Sequence, residues 1–269
     1  MRLEALEVRF EIRCAGSGAE ELASSIAAAW DWCAVESAYD DADAAVQRLT
    51  VVLEQDPEEL ARSAGTGVLF ARDLPTLMDR LSPMVTRVAV TERRHDLVMF
   101  HACAVADPDS GDAVVLYGPS GTGKTTMART LCTELVYLSD ETAGVSDDLR
   151  VVPYLKPLSI IVNHGDDLKE QLSPGRLGLV RPREMPYRLR GLVQLRREPT
   201  HAGEAELESL TTVEALPELV AQTSYTREME RPLHRLAALA HQVGGVRSAT
   251  YAEAEQLGPV VRAILDGDA

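Results

Sequence analysis

Cysteine, lysine and aromatic residues are scarce in this chain of 269 residues. Aromatics make up 4% of it, and only three of its 27 basic residues are lysines, Lys124, Lys156 and Lys169. The four cysteines form no CxxC pair and no zinc-type cluster. We therefore expect reduced thiols in the core and no disulfide framework, and each lysine becomes a candidate for a specific role.

Long apolar runs are missing too. No run approaches the length of a membrane span, and the first residues, MRLEALEVRFEIR, alternate charged and apolar side chains, unlike a signal peptide. The net charge of -15 argues against general binding of nucleic acid or of anionic membranes. A hydrophobic content of 45% is enough for a core. These features predict a folded, cytoplasmic protein.

The pattern of apolar residues divides the chain into two regions. Residues 1–84 predict a small α+β region, with a strand at 3–14, a helix at 19–32, an acidic loop at 36–45, a strand at 49–53, and short helices at 57–63 and 75–81. Residues 85–269 form the second region, which begins with strands at 85–90, 97–106 and 112–117. We place the domain boundary near residue 84. Helical periodicity at 233–243 and 252–265 predicts two core helices near the end of the chain.

The third of those strands runs into the sequence GPSGTGKTT, which fits G-x-x-x-x-G-K-[ST] at every required position. A helix predicted at 125–135 follows, as a phosphate-binding loop requires. Backbone amides and the helix N-terminus bind phosphate oxygens, Lys124 reaches the β and γ phosphates, and Thr125 ligates Mg²⁺. The predicted ATP and Mg²⁺ contacts are Gly118, Ser120, Gly121, Thr122, Gly123, Lys124, Thr125 and Thr126.

An acidic pair, Asp140 and Glu141, ends the next predicted strand, sixteen residues after Lys124. Ligands of such sheets bind at the carboxyl ends of the strands. Asp140 therefore fits two roles, as a metal ligand or as the base that accepts the proton of an attacking hydroxyl. Glu141 is a candidate for the metal shell, with a solvated turn as the alternative.

The order of these segments resembles HPr kinase and its relatives. The resemblance rests on four segments: HACAVAD from His101, the run VVLYGPSGTGKTT, the run YLSDE, and PYLKPLS from Pro153. The resemblance implies a mixed sheet around the P-loop and a role for Asp140 as the base. It also implies that His101 lies near the transferred phosphate and that Lys156 contacts phosphate or substrate. By residue type alone, His101 is expected to be a core histidine, and Lys156 could equally be a surface lysine.

One family signature, of the type E-x-R-G, does not match. The nearest text is Arg188-Leu-Arg-Gly191, with arginine where the metal-binding glutamate would fall. This argues against reverse phosphorolysis and against HPr as the substrate. Relatives that tailor ribosomally made peptides, including lasso peptides, phosphorylate a hydroxyl, and the resemblance extends to that subfamily.

Residues 173–197 hold seven arginines and a single acid, Glu184. Arginine suits phosphate and carboxylate, so this segment predicts a substrate groove in which Arg181 and Arg183 are candidate contacts. A solvated basic surface is the alternative.

Together the sequence predicts an α/β P-loop kinase of the HPr kinase type that uses ATP and Mg²⁺. The predicted acceptor is a Ser or Thr hydroxyl on a peptide or protein, which is also the predicted partner. A kinase of a small hydroxylated metabolite and a nucleotide-dependent switch or ATPase are the alternatives. Neither nucleic acid nor membrane is an expected partner, and self-association is left open.

Overall fold

The structure is a computed structural model that describes residues 1–35, 46–63, 68–161 and 169–268. The acidic loop predicted at 36–45 lies outside the described residues. The chain divides into two compact units, one formed by Met1–Glu92 with Leu155–Leu177 and the other by Arg93–Tyr154 with Gly178–Ala269. The boundary expected near residue 84 falls within the last helix of the first stretch.

The first stretch alternates strands and helices. Its elements are β1 (Arg2–Ala5), β2 (Val8–Ala15), α1 (Ala19–Ala29), β3 (Gln47–Leu53), α2 (Pro57–Ser63), β4 (Val68–Ala71) and α3 (Leu74–Glu92). They form a sheet of order β1-β2-β3-β4, antiparallel between β1 and β2 and parallel beyond. The single strand predicted at 3–14 is a hairpin instead. Leu6 and Glu7 turn the chain with φ of 51° and 63°, which the alternating pattern conceals.

The strand predicted at 85–90 is wrong, because those residues continue helix α3. Buried Leu77, Leu81, Val85 and Ala89 recur every four residues along one face. The short helix predicted at 75–81 is therefore the first part of a longer one, and Val85 and Val90, two of the β-branched residues that suggested a strand, are buried on it.

The second stretch carries the phosphate-binding loop. It contains β5 (Val98–Ala106), β6 (Asp112–Tyr117), α4 (Lys124–Leu131), β7 (Val136–Ser139), β8 (Thr142–Val145) and β9 (Val151–Val152). The strands predicted at 97–106 and 112–117 are confirmed. A short antiparallel pair, β10 (Leu158–Ile160) and β11 (Glu170–Leu172), then belongs to the first unit.

The remaining elements complete the main sheet. They are β12 (Arg188–Arg197), β13 (Glu206–Leu210), α5 (Thr212–Ala221), α6 (Pro232–Gln242), β14 (Val246–Tyr251) and α7 (Leu257–Asp266). The helices predicted at 233–243 and 252–265 correspond to α6 and α7. Much of the arginine segment is strand β12, whose residues Leu189, Leu192 and Leu195 are buried.

The described strands of this sheet run in the order β13-β14-β12-β6-β5-β8-β9, and β7 pairs with β5. The pairs β6–β12 and β12–β14 are parallel, whereas β5 is antiparallel to its neighbours, so the sheet is mixed. This confirms the predicted α/β architecture. One face of the sheet packs on α5 and α6 through a core that includes Val115, Leu192 and Leu239.

All four cysteines are free, with Cys14 half-buried and the other three buried. Within the described part of the chain, no helix has both the length and the apolar character needed to cross a membrane.

Candidate functional site

The loop between β6 and α4 stands at the carboxyl end of β6. Gly121 and Gly123 adopt φ of +89° and +86°, and a side chain at either position would meet open space. Glycine is therefore needed at these two positions for its backbone conformation and not for lack of space. Gly118 differs, because a Cβ there would lie 3.1 Å from Leu195 Cβ and 3.3 Å from Leu195 O. The loop thus packs tightly on β12 at its start and turns with left-handed glycines toward α4.

Lys124, the first residue of α4, folds back over this loop. Its Nζ donates hydrogen bonds to Gly118 O at 2.7 Å and Pro119 O at 2.9 Å, and the residue is buried. Burial lowers the pKa of Lys124 to about 8, against the opposing influence of nearby acidic groups that include Glu141 and Asp140. The ammonium is thereby held at the mouth of the loop, where a phosphate would replace the two carbonyl partners.

Asp140 is in direct contact with the P-loop helix. Thr125 Oγ1 donates to Asp140 Oδ2 at 2.9 Å, and Tyr137 OH donates to Asp140 Oδ1 at 3.0 Å. Asp140 is buried. The structure thus brings together Thr125 and Asp140, each of which was a candidate metal contact in the sequence.

No motif in the sequence points to Tyr137. Burial, and to a smaller extent the charge of Asp140, raises the pKa of Tyr137 well above the usual range. Tyr137 therefore stays protonated and serves as a permanent donor to Asp140. Its position three residues before Asp140 on a buried strand looks like an ordinary core position, so only the structure shows this role.

A turn at the end of β7 presents the acidic pair. Ser139 Oγ accepts hydrogen bonds from the backbone of Glu141 at 3.3 Å and Thr142 at 3.1 Å. This local bonding redirects the chain from β7 into β8 and leaves Asp140 and Glu141 at the bend. Glu141 is half-buried, and its backbone O accepts from Ala102 N at 3.0 Å, which ties the bend to β5.

These oxygen donors fit Mg²⁺, since a hydroxyl and a carboxylate converge at 2.9 Å. No cluster of three or more His, Cys, Asp or Glu side chains that could hold a metal occurs in the described ranges. Mg²⁺ is commonly held by one or two carboxylates together with substrate phosphates and water, and this arrangement suits that mode.

His101 lies on β5 near the acidic bend, where its register partner is Thr142. Burial lowers the pKa of His101, and so does the charge of Lys124, while Glu141 raises it. The side chain is half-buried and therefore is not an enclosed core histidine. A neutral imidazole beside Lys124 can accept or donate a hydrogen bond without adding charge.

Helix α5 supplies another side chain that the sequence analysis missed. Glu218 raises the pKa of Lys124, although other groups act on that pKa more strongly. Glu218 Oε1 accepts from Gln222 Nε2 at 2.9 Å, and Gln222 O accepts from His101 N at 2.7 Å. The end of α5 is therefore connected to the site. No sequence signal suggests this connection, because the helix lies almost one hundred residues after the P-loop.

The structure does not bring the predicted arginine contacts to the P-loop. Arg183 is exposed, and its Nη1 lies 4.0 Å from Asp109 Oδ1 in the turn between β5 and β6, at the end of β6 opposite the P-loop. Arg181 is exposed beside β7. The arginines at the carboxyl end of β12 are instead Arg196 and Arg197.

Lys156 belongs to the other compact unit. It is buried, contrary to the alternative of a surface lysine, and its Nζ donates to Pro157 O at 3.1 Å. Its predicted contact with phosphate or substrate stays a prediction.

Comparison with known proteins adds two findings. A profile of the ATPase family associated with various cellular activities (AAA) matches residues 114–151, from the P-loop strand to β9. A solved structure, the Hpr(Ser) kinase/phosphatase from Coxiella burnetii, is similar over 63% of this chain and 94% of that one, with 10% identity and a TM-score of 0.33. No curated protein matches. The AAA match and the site geometry support a P-loop nucleotide-binding fold of the ATPase or kinase kind.

Proposed function

We propose that this protein is an ATP- and Mg²⁺-dependent kinase that phosphorylates a Ser- or Thr-type hydroxyl on a peptide or protein. The observation that supports it most directly is the contact of Asp140 with Thr125 at 2.9 Å. It puts a buried carboxylate beside the P-loop residue that coordinates the metal in this class of site.

In this proposal Lys124 and the backbone N–H groups of Gly118 and residues 120–126 bind the β and γ phosphates. Thr125 would hold Mg²⁺, with Glu141 beside it, and the ion would neutralise phosphate charge. The acceptor oxygen forms a bond to the γ phosphorus as the bond from that phosphorus to the β–γ bridging oxygen breaks, and ADP leaves. The hydroxyl proton passes to Asp140, and Tyr137 holds that carboxylate in place.

Two further features support a kinase. The neutral imidazole of His101 can position the γ phosphate or the acceptor hydroxyl. The HPr-kinase-like order of the His101 strand, the P-loop and the acidic pair favours a polypeptide acceptor, and peptide natural-product tailoring is one setting for it. A small hydroxylated metabolite is the alternative acceptor.

The AAA match favours a second candidate, an ATPase whose output is a conformational change. The two candidates differ in where the γ phosphate goes. Wild-type protein is incubated with γ-labelled ATP and Mg²⁺, first alone, then with peptide libraries, and then with sugars, nucleosides and amino acids. We expect label on peptide hydroxyls. Transfer only to a free metabolite, or release only as inorganic phosphate, would contradict the proposal.

A further inference from the structure

A cavity of about 510 Å³ lies at the tips of β5 and β8, within the same compact unit as the P-loop. Its lining includes Arg94 and His95 before β5, Asp147 after β8, and Arg231, His234 and Arg235 at the start of α6. Its size is within the range of sites that bind small groups or side chains.

Ion pairs within the lining account for most of its acids. Arg94 Nε lies 3.1 Å from Glu228 Oε2, and Arg235 Nε lies 2.7 Å from Asp147 Oδ1. Arg235 also donates to Asp96 O at 3.1 Å. These pairs fix two of the three guanidinium groups of the cavity and two of its three carboxylates.

The groups left over are mainly hydrogen-bond donors. Arg231 is exposed and has no ion-pair partner in the described part of the chain, and neither His95 nor His234 has a side-chain partner there. No described side chain caps the first turn of α6, so its amides at Leu233 and His234 add further donors. Glu230 is the remaining carboxylate. Arg231 and Glu230 balance in charge, and each neutral imidazole carries one acceptor nitrogen. The five N–H groups of the guanidinium, the two imidazole N–H groups and the two amides still outnumber the acceptor sites, so the cavity favours an acceptor-rich ligand such as a carboxylate.

Three connections lead from this cavity to the candidate site. Strand β5 runs from the cavity at Val98 to His101, and β8 runs from the acidic bend to the cavity at Val145. The segment after α5 makes the third. Gln222 O accepts from His101 N at 2.7 Å, Ser224 N donates to Met99 O at 2.9 Å, and Glu228 then pairs with Arg94.

Val98 and His101 are three strand steps apart, or about 10 Å. An extended peptide rises by a similar amount per residue, so a chain with its hydroxyl at the site would reach the cavity three or more residues away. We propose that this cavity binds an acidic side chain of the acceptor polypeptide, and that Arg231 is its principal contact. This inference rests on the proposed peptide kinase function.

Binding is measured without turnover, on arrays of peptides that carry one serine and a single Asp, Asn or Lys at successive positions. The wild-type protein is expected to prefer Asp over Asn and Lys three or more positions from the serine. Arg231→Glu should remove that preference and weaken binding by about tenfold or more, because a charged hydrogen bond is lost. Arg231→Asn is the second variant, since asparagine tolerates the left-handed backbone of residue 231, φ 48°.

Arg190→Glu is the control, because Arg190 is an exposed arginine paired with Asp112 at the opposite end of β6. It should leave the preference intact. Wild-type protein without an Asp preference, or a preference that survives both Arg231 variants, would overturn the inference. Arg231-dependent binding without any phosphate transfer to peptides would sustain this subsite and contradict the kinase proposal instead.

Discussion

At the scale of single residues, Asp140 shows how the fold prepares one carboxylate. Tyr137 donates to one of its oxygens and Thr125 to the other. The sequence located Asp140 because an acid after the strand following a P-loop is a recognisable pattern. It could not locate Tyr137, whose role depends on the path of a buried strand and not on a motif.

Replacing Tyr137 by Phe tests whether this hydrogen bond holds Asp140. The change leaves a buried carboxylate oxygen without that donor, so we expect the free energy of unfolding to fall by about 1.5–3 kcal/mol. Denaturant titration measures this. Tyr117→Phe is the matched control, because Tyr117 OH is buried and has no hydrogen-bond partner among the described residues, so its removal should be neutral or stabilising. Equal effects of the two changes would contradict the assignment.

The pKa of Lys124 gives a second prediction at this scale. Because burial lowers it to about 8, the amine of the free protein is mostly neutral at pH 9 and mostly charged at pH 7. A bound phosphate favours the charged form and raises the pKa. ADP binding in the presence of EDTA should therefore take up protons at pH 9 and far fewer at pH 7.

Calorimetry in buffers of different ionisation enthalpy measures that uptake, and Lys124→Met should abolish it. Two results would show that Lys124 does not contact the phosphates. One is that the wild-type protein takes up no protons at pH 9, and the other is that Lys124→Met takes up as many as the wild type.

At the scale of elements, the sequence predicted the segments that are local and missed those that depend on distant pairing. Strands β5 and β6 were predicted because apolar runs end in clear turn signals. Helix α3 was divided into a helix and a strand, because Val85, Val88 and Val90 suggest a strand when their burial is unknown. The charged ends of β12 concealed a strand that exists through pairing with β6 and β14.

The packing of the P-loop on β12 yields a prediction for Gly118→Ala. A methyl group there would lie 3.1 Å from Leu195 Cβ and 3.3 Å from its backbone oxygen, so the loop or strand must shift. We expect a loss of about 1–3 kcal/mol in unfolding free energy, as for other overpacked sites, together with weaker nucleotide binding.

Gly258→Ala in α7 is the control, because its added Cβ would find its nearest neighbour, Leu131 Cδ2, at an ordinary 3.9 Å. Alanine favours a helix, so this variant should be at least as stable as the wild type. Thermal melts with and without ATP compare the two. A Gly118→Ala protein that matches the wild type in both would show that the close approach to Leu195 is unimportant.

At the scale of the whole molecule, the main sheet gathers residues from four separate elements around one edge. The P-loop follows β6, the acidic pair follows β7, His101 lies on β5, and Glu218 and Gln222 come from the end of α5. Motifs identified the first two and the resemblance to HPr kinase identified His101. The contribution of α5 can be seen only in the folded structure, because the residues that join its end to β5 are more than a hundred positions apart in the sequence.

The central claim is that Asp140 accepts the proton of the attacking hydroxyl, and Asp140→Asn tests it most directly. The measurement is magnesium–nucleotide affinity and phosphate transfer on the same protein. We expect magnesium–nucleotide affinity within a few-fold of the wild type and transfer reduced by roughly 10²–10⁴, the usual contribution of a positioned acid or base. A loss of magnesium–nucleotide binding as large as the loss of transfer would contradict it and make Asp140 chiefly a metal ligand.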